Sequence, residues 1–412
     1  MTRCILHVDL NNFYASVECL YRPQLAKSPV AVSGDIDARH GIILAKNQMA
    51  KRCGVTTGEA IWQAKLKCPE LILLPPDFKK YLRFSRLARQ IYNDYTDQIE
   101  PFGIDEAWLD VTGSLNLFGS GVTIADEIRR RIRSELGLTV SVGVSFNKIF
   151  AKLGSDLKKP DATTIISREK FRSIVWPLPA GELLYVGRST QRKLASRGIY
   201  TIGDLAKRDL RSLILLLGQW GETLWHFANG CDESLVKKTG ETTVIKSIGN
   251  STTAPRDIKS VNDAKIILYV LAESVASRLR VHGLQCHTVA LSLRDKDLIS
   301  FERQTHLTEA TATARDISRQ AIALFRENWH DNKPLRSLGV RGCNLVTATE
   351  HLQLDLFDEQ KTCTSSLEST IDEIRRRFGT NSIQRCIMLT DRQLSGFNPK
   401  DDHVIHPVSF FR

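Results

Sequence analysis

Residues 3–9 are apolar and alternate up to Asp9, the pattern of a buried strand that ends on a carboxylate. A helix is expected from Phe13 to Leu20, stopped near Pro23, whose ring cannot continue it. Residues 26–75 read as a small, broken α/β unit. It holds a strand at Val30-Ala31-Val32, another near Ile42-Ile43-Leu44, and a helix around Gln48 to Arg52. The segment 78–99 reads as helix, and Ile104 to Val111 as a strand carrying Asp105 and Glu106. Ile124, Ile128, Ile132 and Leu136 recur at every fourth residue, the apolar stripe of a helix that covers a sheet. Val140, Val142 and Val144 then alternate as a further strand.

From about 166 to 235 the pattern is helical with short loops, a small all-α module, and the polar residues 236–243 read as a linker. The order beyond it is strand (243–251), helix (261–281), strand (287–294), strand (298–306), helix (311–329) and strand (335–346). That β-α-β-β-α-β order is the split βαβ, ferredoxin-like arrangement. One amphipathic stretch, Leu367 to Phe378, follows in the C-terminal region. The fold class is α+β and multidomain, because 412 residues exceed one ordinary core and call for about two to four.

Composition narrows the class only slightly. Hydrophobic content of 42% and charged content of 25% are ordinary for a soluble globular protein. The net charge of +11 favours a polyanionic partner, nucleic acid first, although a merely basic protein is equally compatible with charge alone. The nine cysteines form no C-x-x-C pair and no zinc-like spacing, so they read as scattered small apolar residues in a reducing compartment. The N-terminus shows no signal-peptide pattern, and no apolar run approaches the roughly 18 residues of a membrane helix. A cytoplasmic chain with no membrane partner is expected.

The carboxylates carry the chemistry. Asp9 closes one predicted strand and Asp105-Glu106 opens another, and neighbouring strands would bring the three together. A single acidic residue at a strand end is usually a solvated cap. Here the flanking Ile5, Leu6, Val8, Ile104, Ala107, Trp108 and Leu109 argue for burial, where clustered carboxylates repel unless a cation lies between them. Hard oxygen ligands of this kind suit Mg²⁺, and two such ions serve an in-line phosphoryl displacement.

Three long stretches add a resemblance. They are Val8-Asp9-Leu10-Asn11-Asn12-Phe13-Tyr14-Ala15-Ser16-Val17-Glu18, Gly103-Ile104-Asp105-Glu106-Ala107-Trp108-Leu109-Asp110, and residues 143–156 from Gly143-Val144-Ser145-Phe146-Asn147-Lys148 to Gly154-Ser155-Asp156. Through them the chain resembles the Y-family translesion DNA polymerases over essentially its whole length, nearest the bacterial polymerase IV and polymerase V catalytic branches. The resemblance implies a right-hand polymerase. Palm would be residues 1–25 and 76–165, fingers 26–75, a helical thumb with a helix-hairpin-helix 166–235, and a ferredoxin-like little finger 244–350. A tail, 351–412, would follow. It implies template-directed addition of dNTPs to a primer 3′-end with low fidelity and no proofreading, using two Mg²⁺ ions for which Mn²⁺ can substitute.

Residue by residue, the resemblance makes Asp9, Asp105 and Glu106 the catalytic metal ligands, with Leu10 offering its carbonyl and Glu106 at the metal that activates the primer hydroxyl. Many members carry aspartate where this chain has Asn11, a departure at a position not usually counted as a ligand. Tyr14 takes the steric-gate position that excludes a 2′-hydroxyl, and Phe13 is expected beside the nucleotide with it; read alone, Tyr14 would be a core aromatic. Ile42 would roof the nascent base pair, and Lys51 and Lys159 would meet the triphosphate. Lys51 stands where many members have arginine and Gln48 where many have tyrosine, and a point charge in place of a planar fork leads to the expectation of a looser phosphate grip.

In the thumb, Arg188, Arg192 and Lys193 belong to a pair of helices joined by a Gly-containing hairpin, which presents backbone N–H groups to phosphates. In the little finger, Lys246, Arg294, Arg303, Arg336 and Arg341 lie on or beside strands and are expected at the DNA backbone. Gln353, Leu354, Leu356 and Phe357, in Gln353-Leu354-Asp355-Leu356-Phe357, resemble the peptide that docks bacterial polymerases on the sliding clamp. Expected partners are therefore primer-template DNA, dNTPs and the clamp, with accessory proteins of the SOS response as in the polymerase V branch. A palm-type enzyme such as a nucleotide cyclase, or a non-catalytic clamp-bound scaffold, are the competing readings. The thumb, little finger and clamp peptide oppose the first, and the clustered carboxylates oppose the second.

Overall fold

The computed structural model of the chain describes residues 3–34, 41–241, 244–329, 333–348 and 359–399, with 359–365 as backbone only. Residues 3–34 and 42–241 form one unit and residues 244–399 another. No helix among the described residues is long and apolar enough to cross a membrane.

The first unit is built on a five-stranded sheet. In chain order its elements begin with β1 (Ile5–Leu10), α1 (Phe13–Tyr21), β2 (Val30–Ser33), β3 (Ile43–Lys46), α2 (Gln48–Arg52), α3 (Ile61–Lys67), β4 (Ile72–Leu74) and α4 (Phe78–Asn93). Then come β5 (Ile99–Pro101), β6 (Glu106–Asp110), α5 (Leu115–Phe118), α6 (Gly121–Leu136), β7 (Val140–Ser145), α7 (Lys148–Leu157) and β8 (Thr163–Ile166). The helices α8 (Phe171–Val175), α9 (Arg188–Ala195), α10 (Ile202–Lys207), α11 (Leu210–Leu217) and α12 (Gln219–Ala228) complete it. The large sheet runs β5-β6-β1-β7-β8, and a separate small sheet runs β3-β2-β4.

Alternation along β1 decides what each face of the large sheet does. Leu6, Val8 and Leu10 join Ile124, Ile128 and Ile132 of α6 and Tyr81, Ala88 and Ile91 of α4 in one core. Ile5 turns the other way, towards Trp108 and Ala151 of α7, and His7 and Asp9 share its side of the pleat. Close approach of α7 to the sheet rests on two glycines. A Cβ on Gly143 would lie 1.9 Å from the Ala151 carbonyl oxygen and 2.5 Å from the Ser155 nitrogen, and Gly154 packs against Gly143 from the helix side. Asn147 caps α7 by accepting from the Phe150 N–H at 2.8 Å.

The second unit contains β9 (Ser247–Ile258), α13 (Val261–Val281), β10 (Leu284–Asp295), β11 (Ser300–Thr311), α14 (Ala314–Asn328), β12 (Leu335–Thr347), α15 (Glu359–Phe378) and α16 (Arg392–Ser395). Its antiparallel sheet runs β11-β10-β12-β9. Ile248, Leu291, Leu293, Leu338 and Val340 pack beneath Leu268, Leu271, Val275, Ile317 and Phe325 of the two long helices. Pro255 is tolerated because β9 is an edge strand. The C-terminal segment is tied to this unit through arginines. Arg280 meets Glu368 and Asp372, Arg375 and Arg385 both meet Glu273, and Arg256 bridges Asp263 and Asp391.

Several boundaries differ from the sequence reading. The helix expected over 78–99 ends at Asn93, and Ile99–Pro101 pairs with β6 instead. Helix α3 and strand β4 were not anticipated; the buried Ile61, Ala64 and Cys68 were too short a stripe to signal a helix. The strand expected at 243–251 begins at Ser247 and continues to Ile258. Asp105 precedes β6 rather than lying within it.

Candidate active site

Asp9 and Glu106 face each other across the β1–β6 ladder. Like charges directly opposite in a sheet repel, and α7 supplies the compensation. Lys152 Nζ lies 3.2 Å from Asp9 Oδ2, 2.6 Å from Glu106 Oε2 and 3.3 Å from Asp156 Oδ2. Lys159 Nζ adds contacts of 2.7 Å to Asp9 Oδ2 and 2.8 Å to Asp156 Oδ1. Burial favours the neutral amine at both lysines, but Asp9 and its neighbouring carboxylates outweigh it and hold both ammonium groups charged.

Asp105 is tied to the same strand end, its carbonyl accepting the Leu10 N–H at 3.0 Å. Burial, then repulsion from Asp9, pushes its carboxyl up to about 6. Burial likewise pushes Glu106 up, with Lys152 pulling the other way. Among the described residues, no group of three His, Cys, Asp or Glu side chains forms a ready-made metal cage. Asp9 and Glu106 instead spend oxygen atoms on Lys152.

Divalent metal still fits this donor set. The carboxylates offer hard oxygens, and desolvation leaves Asp105 and Glu106 short of positive charge. Two buried polar atoms next to them have no hydrogen-bond partner, His7 Nε2 and the Tyr92 hydroxyl. His7 Nε2 lies 3.4 Å from Glu106 Oε2. The Ser155 hydroxyl lies 2.8 Å from His7 Nδ1 and 2.7 Å from the Lys152 carbonyl oxygen, linking the imidazole to α7.

Tyr14 stands beside this cluster. Its ring stacks on Tyr81 at 4.3 Å and 10° and meets Phe78 edge-on at 6.0 Å. Burial, then the nearby Asp105, pushes its hydroxyl up to about 12. Phe13, expected beside the nucleotide, lies in the core, where it packs against Tyr14 and Tyr81. Asn11 is structural: its amide donates to Ser141 at 2.9 Å while its oxygen accepts the Asp161 N–H at 2.8 Å, securing the loop that carries Lys159.

In the small sheet, Ile42 is 45% exposed and bridges Ala60. Lys51 is exposed in the last turn of α2. Lys46, passed over in the sequence, stands near it: burial and the Lys51 charge both disfavour its protonated form. In the helical part, Gly198 takes φ +71° in the turn after α9, and Thr201 and Asp204 cap α10 reciprocally. Arg188, Arg192 and Lys193 are exposed on α9.

In the second unit, one sheet face is covered by helices and the other carries small residues. A Cβ on Gly339 would lie 2.3 Å from Ser292 Oγ and 2.9 Å from Ser251 Cβ. Arg341 pairs with Glu302 across the sheet. Arg303 is turned elsewhere, donating to Asn328 of α14 at 3.2 Å. Arg294 and Lys246 are exposed and Arg336 is half-buried. Gln353, Leu354, Leu356 and Phe357 lie outside the described residues.

Sequence reasoning missed Lys152, His7, Ser155 and Asp156, although all but His7 sit in the quoted stretch 143–156. The spacing of Lys152, Ser155 and Asp156 along one helical face was the available signal.

Comparison with known proteins gives the family and the fold. Residues 8–156 match the impB/mucB/samB family and residues 245–356 its C-terminal domain. The chain is 51% identical over 397 residues to DNA polymerase IV of Acetivibrio thermocellus, covering 96% of this chain and 100% of the relative. It is 40% identical to DNA polymerase IV of Pelotomaculum thermopropionicum, covering 94% and 96%. It is 37% identical to DNA polymerase IV 1 of Bacillus subtilis, covering 93% and 92%. A solved Y-family DNA polymerase chimera, Dbh-Dpo4-Dbh, superposes with TM-score 0.73 at 24% identity, covering 84% of this chain and 99% of the chimera, a likeness of fold.

Proposed function

The chain belongs to the Y family of DNA polymerases and is a DNA-directed DNA polymerase of the translesion class, and on that footing we propose that Asp9, Asp105 and Glu106 form its catalytic centre. The observation that carries this is the facing of Asp9 and Glu106 across one strand pair, with Asp105 tied to the Leu10 backbone beside them. A DNA polymerase of this family depends on divalent metal, and Mg²⁺ is the ion the carboxylate oxygens suit best. When bound, it would acidify the primer 3′-hydroxyl and offset charge on the departing pyrophosphate.

The chain's own side chains do the positioning. Lys152 bridges Asp9 and Glu106, and with Lys159 on Asp9 it offsets the repulsion between the two carboxylates. Lys159, with Lys51, then offers cationic donors to the triphosphate of a dNTP. Tyr14, backed by Tyr81 and Phe78, presents a flat ring to the sugar, and Ile42 covers the nascent base pair. The primer-template duplex is gripped through phosphates by Arg188, Arg192 and Lys193 and by the small-residue sheet face beside Arg341. Arg303 contributes less, because it is engaged with Asn328. Residues 353–357 serve as a sliding-clamp peptide, and tethering raises the local primer-end concentration. The free cysteines among the described residues suit the cytoplasm, where we place the enzyme.

The test is primer extension on undamaged and abasic templates. Wild type is expected to extend both with Mg²⁺, while Asp105→Ala/Glu106→Ala loses at least about a thousandfold, the scale of removing preorganised transition-state charge stabilisation. Full activity in that double variant would remove these residues from the chemistry.

A further inference from the structure

Helix α3 exposes an aromatic face that the chemistry above does not use. Trp62 is 65% exposed and Leu66 75% exposed, one turn apart, while Ile61, Ala64 and Cys68 bury the opposite side. The start of α3 is fixed to the roof residue. Ile42 bridges Ala60, the residue that caps α3, Ile43 N–H donates to the Glu59 carbonyl at 2.9 Å, and Gly58 N–H donates to the Ile43 carbonyl at 2.8 Å. The segment is basic: across residues 41–75, Lys46, Lys51, Arg52, Lys65 and Lys67 stand against Glu59 and Glu70, with Lys67 paired to Glu59 and Lys65 exposed on α3 itself.

An exposed indole among lysines is the surface on which unpaired bases stack while ammonium groups follow the phosphates. A template-copying enzyme always has such a strand, the template 5′ of the nascent pair, and it leaves the site past the residue that roofs that pair. We propose that Trp62 and Leu66 form a stacking platform for the unpaired template strand ahead of the active site. This rests on the placement of Ile42 over the nascent pair. The platform holds the incoming template base in line and is indifferent to sequence, because every base offers a π-face.

The test uses the full chain with labelled primer-templates carrying a one-nucleotide or a ten-nucleotide 5′ template overhang, read by fluorescence anisotropy. Wild type is expected to bind the longer overhang more tightly. Trp62→Ala should lose that gain, on the order of tenfold for one stacked base, with binding and single insertion on the one-nucleotide template unchanged. Trp62→Phe should keep most of it. Equal binding of both templates by wild type, or a gain preserved in Trp62→Ala, overturns the proposal and leaves the face to a protein partner. Equal weakening on both templates by Trp62→Ala also overturns it, by making Trp62 a general support. Failure of wild type to insert on the one-nucleotide template would count against the catalytic reading instead, and the binding comparison would still decide the platform.

Discussion

Tyr14 gains its rigidity from its neighbours. Stacking on Tyr81 and the edge of Phe78 leave its ring one well-packed orientation. A ring so held discriminates by shape, since its hydroxyl is kept protonated by burial and by Asp105. Tyr14→Ala is therefore expected to narrow the preference for deoxyribonucleotides over ribonucleotides by on the order of a hundredfold, the range over which a pocket rejects one added hydroxyl. Tyr14→Phe should leave that preference intact. Parallel single-insertion assays with dNTP and rNTP check both.

At the scale of elements, helices carry the polar work and strands set its register. α7 lies on the sheet closely enough to place Lys152 between Asp9 and Glu106, and only glycine at 143 permits that approach. In the second unit, β9, α13 and α16 are joined at Arg256, which meets Asp263 and Asp391. Arg256 lowers Asp391 below the ordinary carboxylate range; at Asp263 burial opposes the shift, and Arg256 with the Lys259 N–H outweighs it. A carboxylate depressed on folding contributes stability above its unfolded pKa and loses it as pH falls through the lower, folded value. The second unit should therefore unfold more readily below about pH 4, near the unfolded carboxylate value. Arg256→Gln should cost about 1 kcal/mol at neutral pH, as partly exposed pairs do, and should flatten the acid dependence. Thermal unfolding followed by circular dichroism from pH 7 to pH 2 measures both effects.

For the whole molecule, two units with separate cores imply two folding entities. Residues 244–399 expressed alone should unfold cooperatively. Ending that fragment at residue 348 removes Glu368, which caps the Ala314 and Arg315 N–H groups at the start of α14 and pairs with Arg280. The shortened fragment should melt roughly 5 °C lower or more, because uncapped N–H groups and unpaired arginines each cost stability on the kcal/mol scale. Calorimetry on the two fragments decides it; equal midpoints would make the C-terminal helices an ornament.

Much of this was legible along the chain. Apolar stripes such as Ile124, Ile128 and Ile132, and the alternation of Val140, Val142 and Val144, respond to local periodicity, so α6, α13 and most strands could be read directly. The carboxylates Asp9, Asp105 and Glu106 stood out because charge among apolar neighbours is conspicuous in one dimension. Their company was not. Lys152 reaches them, and Ser155 reaches His7 on β1, only because Gly143 and Gly154 let a helix close on a strand, a contact between surfaces that no window of sequence contains. The side to which Arg303 turns and the exposure of Trp62 belong to the same class: each depends on which face of an element its neighbours cover, and that follows from packing alone.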